Sequence, residues 1–186
     1  MALKSTIHKA SVEIADMDRS LYASHQLTLA CHPSETGERL MVRLLAWALN
    51  VPADDHDGAL QFTRGLSDSD EPALWQHSLA GELRHWIELG QPDERRLARA
   101  CGRAERVTLY GYSASTTIWW SPLQAKVARL ANLGVWQIPA AQSQALAALA
   151  TRAMTLQITV QEGQIWVGDA TRSVEIHPMA LKLPSS

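Results

Sequence analysis

The stretch from Asp70 to Asp93, DEPALWQHSLAGELRHWIELGQPD, constrains this chain more than any other. Ala73 to Gln76 has the character of a short strand, His77 to Gly81 that of a turn, and Leu83 to Leu89 alternates as a longer strand. On that second arm Leu83, His85 and Ile87 fall on one face and Arg84, Trp86 and Glu88 on the other. A hairpin folds its ends together, so Asp70 and Glu71 are expected beside Glu88. Carboxylates gathered in this way repel one another, and a hard divalent cation such as magnesium, which takes oxygen ligands, relieves the repulsion.

The flanking sequence predicts an α/β (α+β) chain. Leu3, Ile7, Val12 and Ile14 lie in strand-like runs, Asp16 to Arg19 makes a turn, and Tyr22 to Cys31 is a second strand. His32-Pro33-Ser34 ends this hairpin and opens a helix through Asn50. Ser34 is its expected N-cap, Glu35 and Glu38 lie in its first turn, and Leu40 to Leu49 supply an apolar face. Pro52 to Gly58 reads as a loop, Leu60 to Thr63 as a short strand and Leu66 to Glu71 as an acidic connector. Pro92 opens a helix that ends at Gly102.

Val107 to Tyr112 is a strand and Thr116 to Trp120 is read as another, with a helix starting at Pro122. Val135 to Ile138 is a strand, and the alanine-rich run Ala140 to Arg152 a helix. Met154 to Gln161 and Gln164 to Gly168 form a hairpin, Ser173 to His177 a closing strand, and the tail from Leu181 is expected to fray. The terminal hairpins, residues 1–32 and 153–180, would combine in an added antiparallel sheet beside a core of residues 34–138. No repeat or low-complexity linker interrupts the chain.

At 186 residues one core, and so one domain, is the expectation. The net charge of −2 supplies no global positive field, so nucleic-acid binding would need a local basic patch. Cys31 and Cys101 are distant in sequence and form no metal-type pair, which fits reduced thiols and a cytoplasmic location. No apolar run is long enough for a membrane span. The seven histidines show no zinc-ligand spacing.

Several segments together resemble the bacterial YaeQ family over essentially the whole chain. They include Met1 to Lys4, His32-Pro33-Ser34-Glu35-Thr36 with Glu38-Arg39, Phe62 to Leu66, Asp70-Glu71-Pro72, and Trp86 to Gly90 with Pro92 to Arg96. Trp119-Trp120, Asn132-Leu133, Val135-Trp136 and Met154 to Gln157 complete the set. The resemblance implies a variant of the restriction-endonuclease-like fold, a mixed sheet flanked by helices, related to the PD-(D/E)XK nucleases. An acid opening one strand of a hairpin and an acid on the next is similar to that superfamily's core. The chain departs from it two residues after Glu88, where glycine (Gly90) stands in place of the usual lysine and Gln91 is the nearest polar side chain.

Two functions follow from this pattern. In a metal-dependent phosphodiesterase, Glu71 (or Asp70) and Glu88, with Glu38, would hold magnesium. Gln91 would orient water, and Arg96 and Arg99 would hold phosphate. In a catalytically degenerate scaffold, the same surface would bind nucleic acid or a protein. Each residue also has a plain reading: Glu38 as a first-turn acid, Asp70 and Glu71 as a solvated loop, and the arginines as partners of Asp93 and Glu94. His85 and the tryptophans read as packing residues. Gly111-Tyr112-Ser113-Ala114-Ser115 is similar to a nucleophile elbow but lacks the final glycine, and the β-branched, aromatic run after it argues against a helix there.

Overall fold

The computed structural model describes residues 4–185. Leu3, where the sequence places the start of the first strand, lies outside the described residues, as does Ser186 at the end of the tail. Strands whose side chains alternate between buried and more exposed build the first of two mixed sheets, strands buried on both faces form the centre of the second, and between the sheets runs a helix buried along most of its length.

The first sheet contains β1 (Thr6–Asp16), β2 (Leu21–Cys31), β8 (Ala153–Gln161), β9 (Gln164–Gly168) and β10 (Ser173–Ile176), in the order β10-β9-β8-β1-β2. The two terminal hairpins do share one sheet, but it is not antiparallel throughout: β1 pairs β8 in parallel, Lys9 facing Ala153 and Asp16 facing Val160. Parallel neighbours need a long crossover, and the whole middle of the chain provides one. Ala10, Val12 and Ile14 on β1 and Met154, Leu156 and Ile158 on β8 turn inward.

The second sheet runs β11-β7-β6-β5-β4-β3. Its strands are β3 (Leu60–Phe62), β4 (Leu74–His77), β5 (Leu83–Leu89), β6 (Arg106–Gly111), β7 (Leu133–Gln137) and β11 (Met179–Lys182). β3, β4 and β5 are antiparallel neighbours, β5, β6 and β7 are parallel, and β11 closes the edge antiparallel to β7. The expected frayed tail is therefore corrected over β11: its backbone pairs with β7, and the Lys182 ammonium donates to the carbonyls of Leu130 (2.8 Å) and Leu133 (3.1 Å).

Helix α1 (Gly37–Asn50) has nine consecutive buried residues, Leu40 to Ala48, because it is covered by both sheets. Its N-cap is Thr36, whose hydroxyl accepts from the Arg39 amide at 3.1 Å, rather than Ser34. Ser34 instead bonds the His32 ring at 2.6 Å. Helix α4 (Ala140–Ala147) packs against α1 and stops short of the expected Arg152.

On the far face of the second sheet lie α2 (Glu94–Arg103) and α3 (Thr116–Val127). They enclose a separate core of Trp86, Leu97, Val107, Leu109, Trp120 and Leu123. The strand expected over Thr116 to Trp120 is the first turn and a half of α3, and Pro122 lies inside that helix rather than at its start. Thr116, Trp120, Leu123 and Val127 are its buried residues, spaced by four, three and four, so the apolar stripe prevails over the strand preference of Thr, Ile and Trp. One hairpin detail also changes: the β4–β5 ladder slips between Gln76 and His77, and Leu83 consequently packs with Trp86 instead of sharing a face with His85.

Candidate functional site

The hairpin does bring its ends to one cleft, of about 350 Å³, where Glu71, Glu88 and Gln91 are joined by Arg39, Asp68 and Arg96. Glu88 sits on β5 with the face that α2 covers, and only 6% of it is exposed. Burial of a carboxylate demands partners. The indole N–H of Trp86 donates to Glu88 Oε2 at 3.1 Å, and the guanidinium of Arg96 closes on both oxygens, Nε to Oε2 at 2.7 Å and Nη2 to Oε1 at 3.3 Å.

Arg96 stands in the first turn of α2, where the Asp93 side chain caps the helix by accepting the Arg96 amide at 2.8 Å. Its remaining donors reach the acidic connector: Nη2 meets the Glu71 carbonyl at 2.9 Å, and Nη1 meets the Ser69 carbonyl. A single guanidinium thus ties the end of β5 to the connector before β4. It lies with its carbon 5.9 Å from the Trp86 ring centre, and Arg103 stands 5.3 Å from the same ring.

The other expected ligands are also engaged. The Glu71 carboxylate is gripped by Arg64 through its backbone amide (2.8 Å), Nε (3.1 Å) and Nη2 (2.9 Å). Asp70 meets Arg99 at 3.3 Å in an exposed pair. Glu38 does not join them: on α1 it accepts the Ser143 hydroxyl of α4 at 2.6 Å. Among the described residues no three His, Cys, Asp or Glu side chains gather as a metal site. The donor set as it stands does not fit magnesium, because an arginine already occupies the space between the acidic connector and Glu88.

Gln91 lies just beyond β5, and its amide nitrogen donates to Ser113 and Ser115, each at 2.7 Å. These serines sit between β6 and α3, so this serine-rich turn is a strand-to-helix turn after all, bonded to glutamine rather than to a histidine base. Gly90 explains the missing lysine: its φ is +93°, in the left-handed region, and a Cβ there would meet nothing within 4 Å. Space is available, but the backbone disfavours any side chain.

Two arrangements escaped the sequence reading. Arg64, the clamp on Glu71, had no signal beyond lying seven residues before it. Glu35, only 2% exposed at its side chain, pairs with Arg43 (3%) at 2.9 Å and with Arg39 at 2.9 Å. A charge at Arg43 inside the apolar run Leu40 to Leu49 was the legible sign of a buried partner. Burial lowers the Arg43 pKa, and the Glu35 charge opposes that shift.

A second hollow, about 450 Å³, opens on the outer side of α2 and is lined by Asp70, Trp86, Asp93, Arg95, Arg96 and Arg99. Arg95 and Arg99 are exposed along it, Arg103 is exposed four residues further on the same helix, and Arg96 is drawn inward. His85 lies on the opposite face of the sheet, 1% exposed, as expected of a packing residue.

The YaeQ protein family model matches residues 1–178. The uncharacterized protein YaeQ of Salmonella typhi is 49% identical over 186 residues, covering all of both chains, and that of Escherichia coli K12 is 47% identical over the same span. The crystal structure of YaeQ protein from Xanthomonas axonopodis pv. citri superposes with a TM-score of 0.91 at 44% identity, covering 97% of this chain and 99% of that one. The Pseudomonas syringae YaeQ structure gives 0.89 at 37%, covering 96% and 97%. Identity of this order across the whole length of its relatives establishes that the chain belongs to the YaeQ family.

Proposed function

We propose that this protein is a nuclease-like scaffold that binds the phosphodiester backbone of nucleic acid without cleaving it, with Arg96 serving as the built-in cation where a metal nuclease of the PD-(D/E)XK type would hold magnesium. The observation that carries this reading is the Arg96 guanidinium, bound at once to the Glu88 carboxylate and the Glu71 carbonyl. A charge held there balances that of Glu88, and Gly90 leaves no lysine to activate water. Phosphate contact then falls to the outward cations of α2, Arg95, Arg99 and Arg103, rather than to Arg96. The free thiols of Cys31 and Cys101 agree with a reducing, cytoplasmic setting, and among the described residues no helix is long and apolar enough to cross a membrane.

Fluorescence anisotropy with labelled single- and double-stranded DNA and RNA tests this. Binding should weaken with salt, and Arg99→Ala and Arg103→Ala should each flatten the log–log salt slope by roughly one contact, about 0.7–0.9. No binding to any of the four at low salt, or a slope untouched by these changes, would overturn the proposal.

The second reading is a magnesium-dependent phosphodiesterase that uses Glu71 and Glu88 with Gln91. It is favoured by one fact: these three side chains line the same cleft. It requires Arg96 to withdraw and Gln91 to leave its serines. Magnesium- or manganese-dependent cleavage of DNA or RNA, abolished by Glu88→Ala, would support it over the scaffold.

A further inference from the structure

On the face of the second sheet away from Glu88, a cavity of about 350 Å³ lies between the two sheets. Its polar floor is built by β6, whose Arg106, Thr108 and Tyr110 alternate onto one face, with Asn50 at the end of α1 and Trp136 on β7 beside them. Val160 and Ile165 from the first sheet and Pro178 and Pro184 from the C-terminal segment supply apolar walls.

The hydrogen bonds of the floor run in one direction. A guanidinium can only donate, so Arg106 Nη2, 3.0 Å from His85 Nδ1, makes that nitrogen the acceptor. His85 Nε2 therefore carries the proton and donates to Thr108 Oγ1 at 2.8 Å, which leaves the threonine hydroxyl proton uncommitted. The Asn50 amide donates both to the Ala46 carbonyl (2.7 Å) and to the Tyr110 oxygen (2.8 Å), leaving the phenol proton uncommitted as well. His85 is held neutral by burial and the Arg106 charge, its pKa lowered to about 3, so this direction of donation persists at physiological pH.

The charge on the floor is also one-sided. Among the described residues no Asp or Glu lines the cavity. Burial and the charge of a second cation, Arg19, both lower the Arg106 pKa. Arg19 is itself bound to Asp16 and to the carbonyls of Val51 and Ala48. Donors from a guanidinium, a hydroxyl and a phenol face a space with apolar walls and an aromatic ring. Such a space is complementary to a carboxylate attached to an apolar body. At the roughly 30 Å³ that one water takes up in the liquid, the volume corresponds to about a dozen water-sized groups, room for a small organic acid.

We propose that this cavity is a binding site for a small apolar or aryl monocarboxylate, with Arg106 as the carboxylate anchor and Thr108 and Tyr110 as supporting donors. It is separated from the Glu88 cleft by the sheet itself, and it stands whether or not nucleic acid binds at α2.

The probe is 4-phenylbutyrate, with its neutral amide as control, titrated into the wild-type protein by calorimetry and followed in ¹⁵N–¹H spectra. The acid should bind, move the Trp136 indole N–H resonance, and bind about tenfold more tightly than the amide, the usual gain of a charge-assisted contact. Arg106→Gln should erase that preference, and Tyr110→Phe should reduce it. Arg106 is part-buried at the start of β6 and its one side-chain hydrogen bond goes to His85, so the variant is expected to fold. Should it not, the contrast between acid and amide on the wild type decides alone. Equal affinity for acid and amide, a preference that survives Arg106→Gln, or an unmoved Trp136 signal at millimolar acid would each overturn the site.

Discussion

Glu88 shows how a single residue changes meaning between sequence and structure. The alternation of β5 set it on the face opposite His85 and the hairpin set it beside Asp70 and Glu71, and the structure puts it in one cleft with Glu71. What the sequence concealed was the partner: Arg96 is eight residues away across a turn, and its reach depends on how α2 docks. If the acids crowded one another, Glu88→Gln would be neutral or stabilising. With Arg96 and Trp86 as partners it should instead destabilise by about 1–3 kcal/mol, discounted because Arg96 is a third exposed. Urea unfolding of Glu88→Gln, Arg96→Met and the double variant checks this, and the coupling should be positive because the two losses share one interaction. His85 makes a second prediction at this scale. Its folded pKa, about 3, lies below the ordinary value of 6.5. The unfolded chain therefore takes up the proton first as pH falls. Stability from this residue is complete above pH 6.5, declines below it, and stops declining near pH 3, a loss of about 2 kcal/mol already at pH 5. Unfolding free energies at pH 7 and pH 5 should differ by about that much more in wild type than in His85→Gln.

Among the elements, α3 carried the clearest error and the clearest lesson. Thr116 to Trp120 is locally strand-like, and Pro122 normally marks a helix start. The period that decides is longer than either signal: only when Thr116, Trp120, Leu123 and Val127 are taken together does a helical stripe emerge, and the Pro122 ring falls on the exposed side. The helix thus tolerates a proline in its interior at the cost of one backbone hydrogen bond. Pro122→Ala should restore that bond and raise stability by about 1–2 kcal/mol, the helix gain less the added freedom of the unfolded chain. A fall in the midpoint of thermal unfolding would mean that the proline sets a bend on which the packing of Trp120 depends. The strands β4, β5, β6 and β7 were legible because each carries its own burial pattern. β11 was not, because four residues beside two prolines and a lysine have no pattern until β7 offers an edge. The same limit hid the parallel pairing of β1 with β8: a strand's faces are written in its sequence, but its neighbour is not.

Across the whole molecule the two sheets are joined through α1, whose buried run Leu40 to Ala48 belongs to one apolar cluster with Val12 and Leu156 from the first sheet and Leu74 and Ile87 from the second. Neither sheet can lose α1 without exposing its own inner face. We therefore predict that the terminal hairpins and the 34–138 core unfold as one cooperative unit, although the sequence reads as a core with accessory additions. The tryptophans divide the molecule usefully. Trp47 lies on α1 between the sheets, Trp75, Trp86 and Trp136 belong to the second sheet, Trp119 and Trp120 to α3, and Trp166 to β9 of the first sheet. Fluorescence thus reports chiefly on the second sheet and its outer helices, while hydrogen exchange at β1 and β8 reports on the first. Urea curves from fluorescence and from far-ultraviolet circular dichroism should coincide. Amides of Val12, Ile14 and Leu156, central in the first sheet, should exchange only with the global free energy, and those of β2 and β10 at its edges should exchange sooner. Separated transitions, with β1 and β8 exchanging well below the global value, would show that the terminal hairpins form a second unit and that α1 serves the core alone.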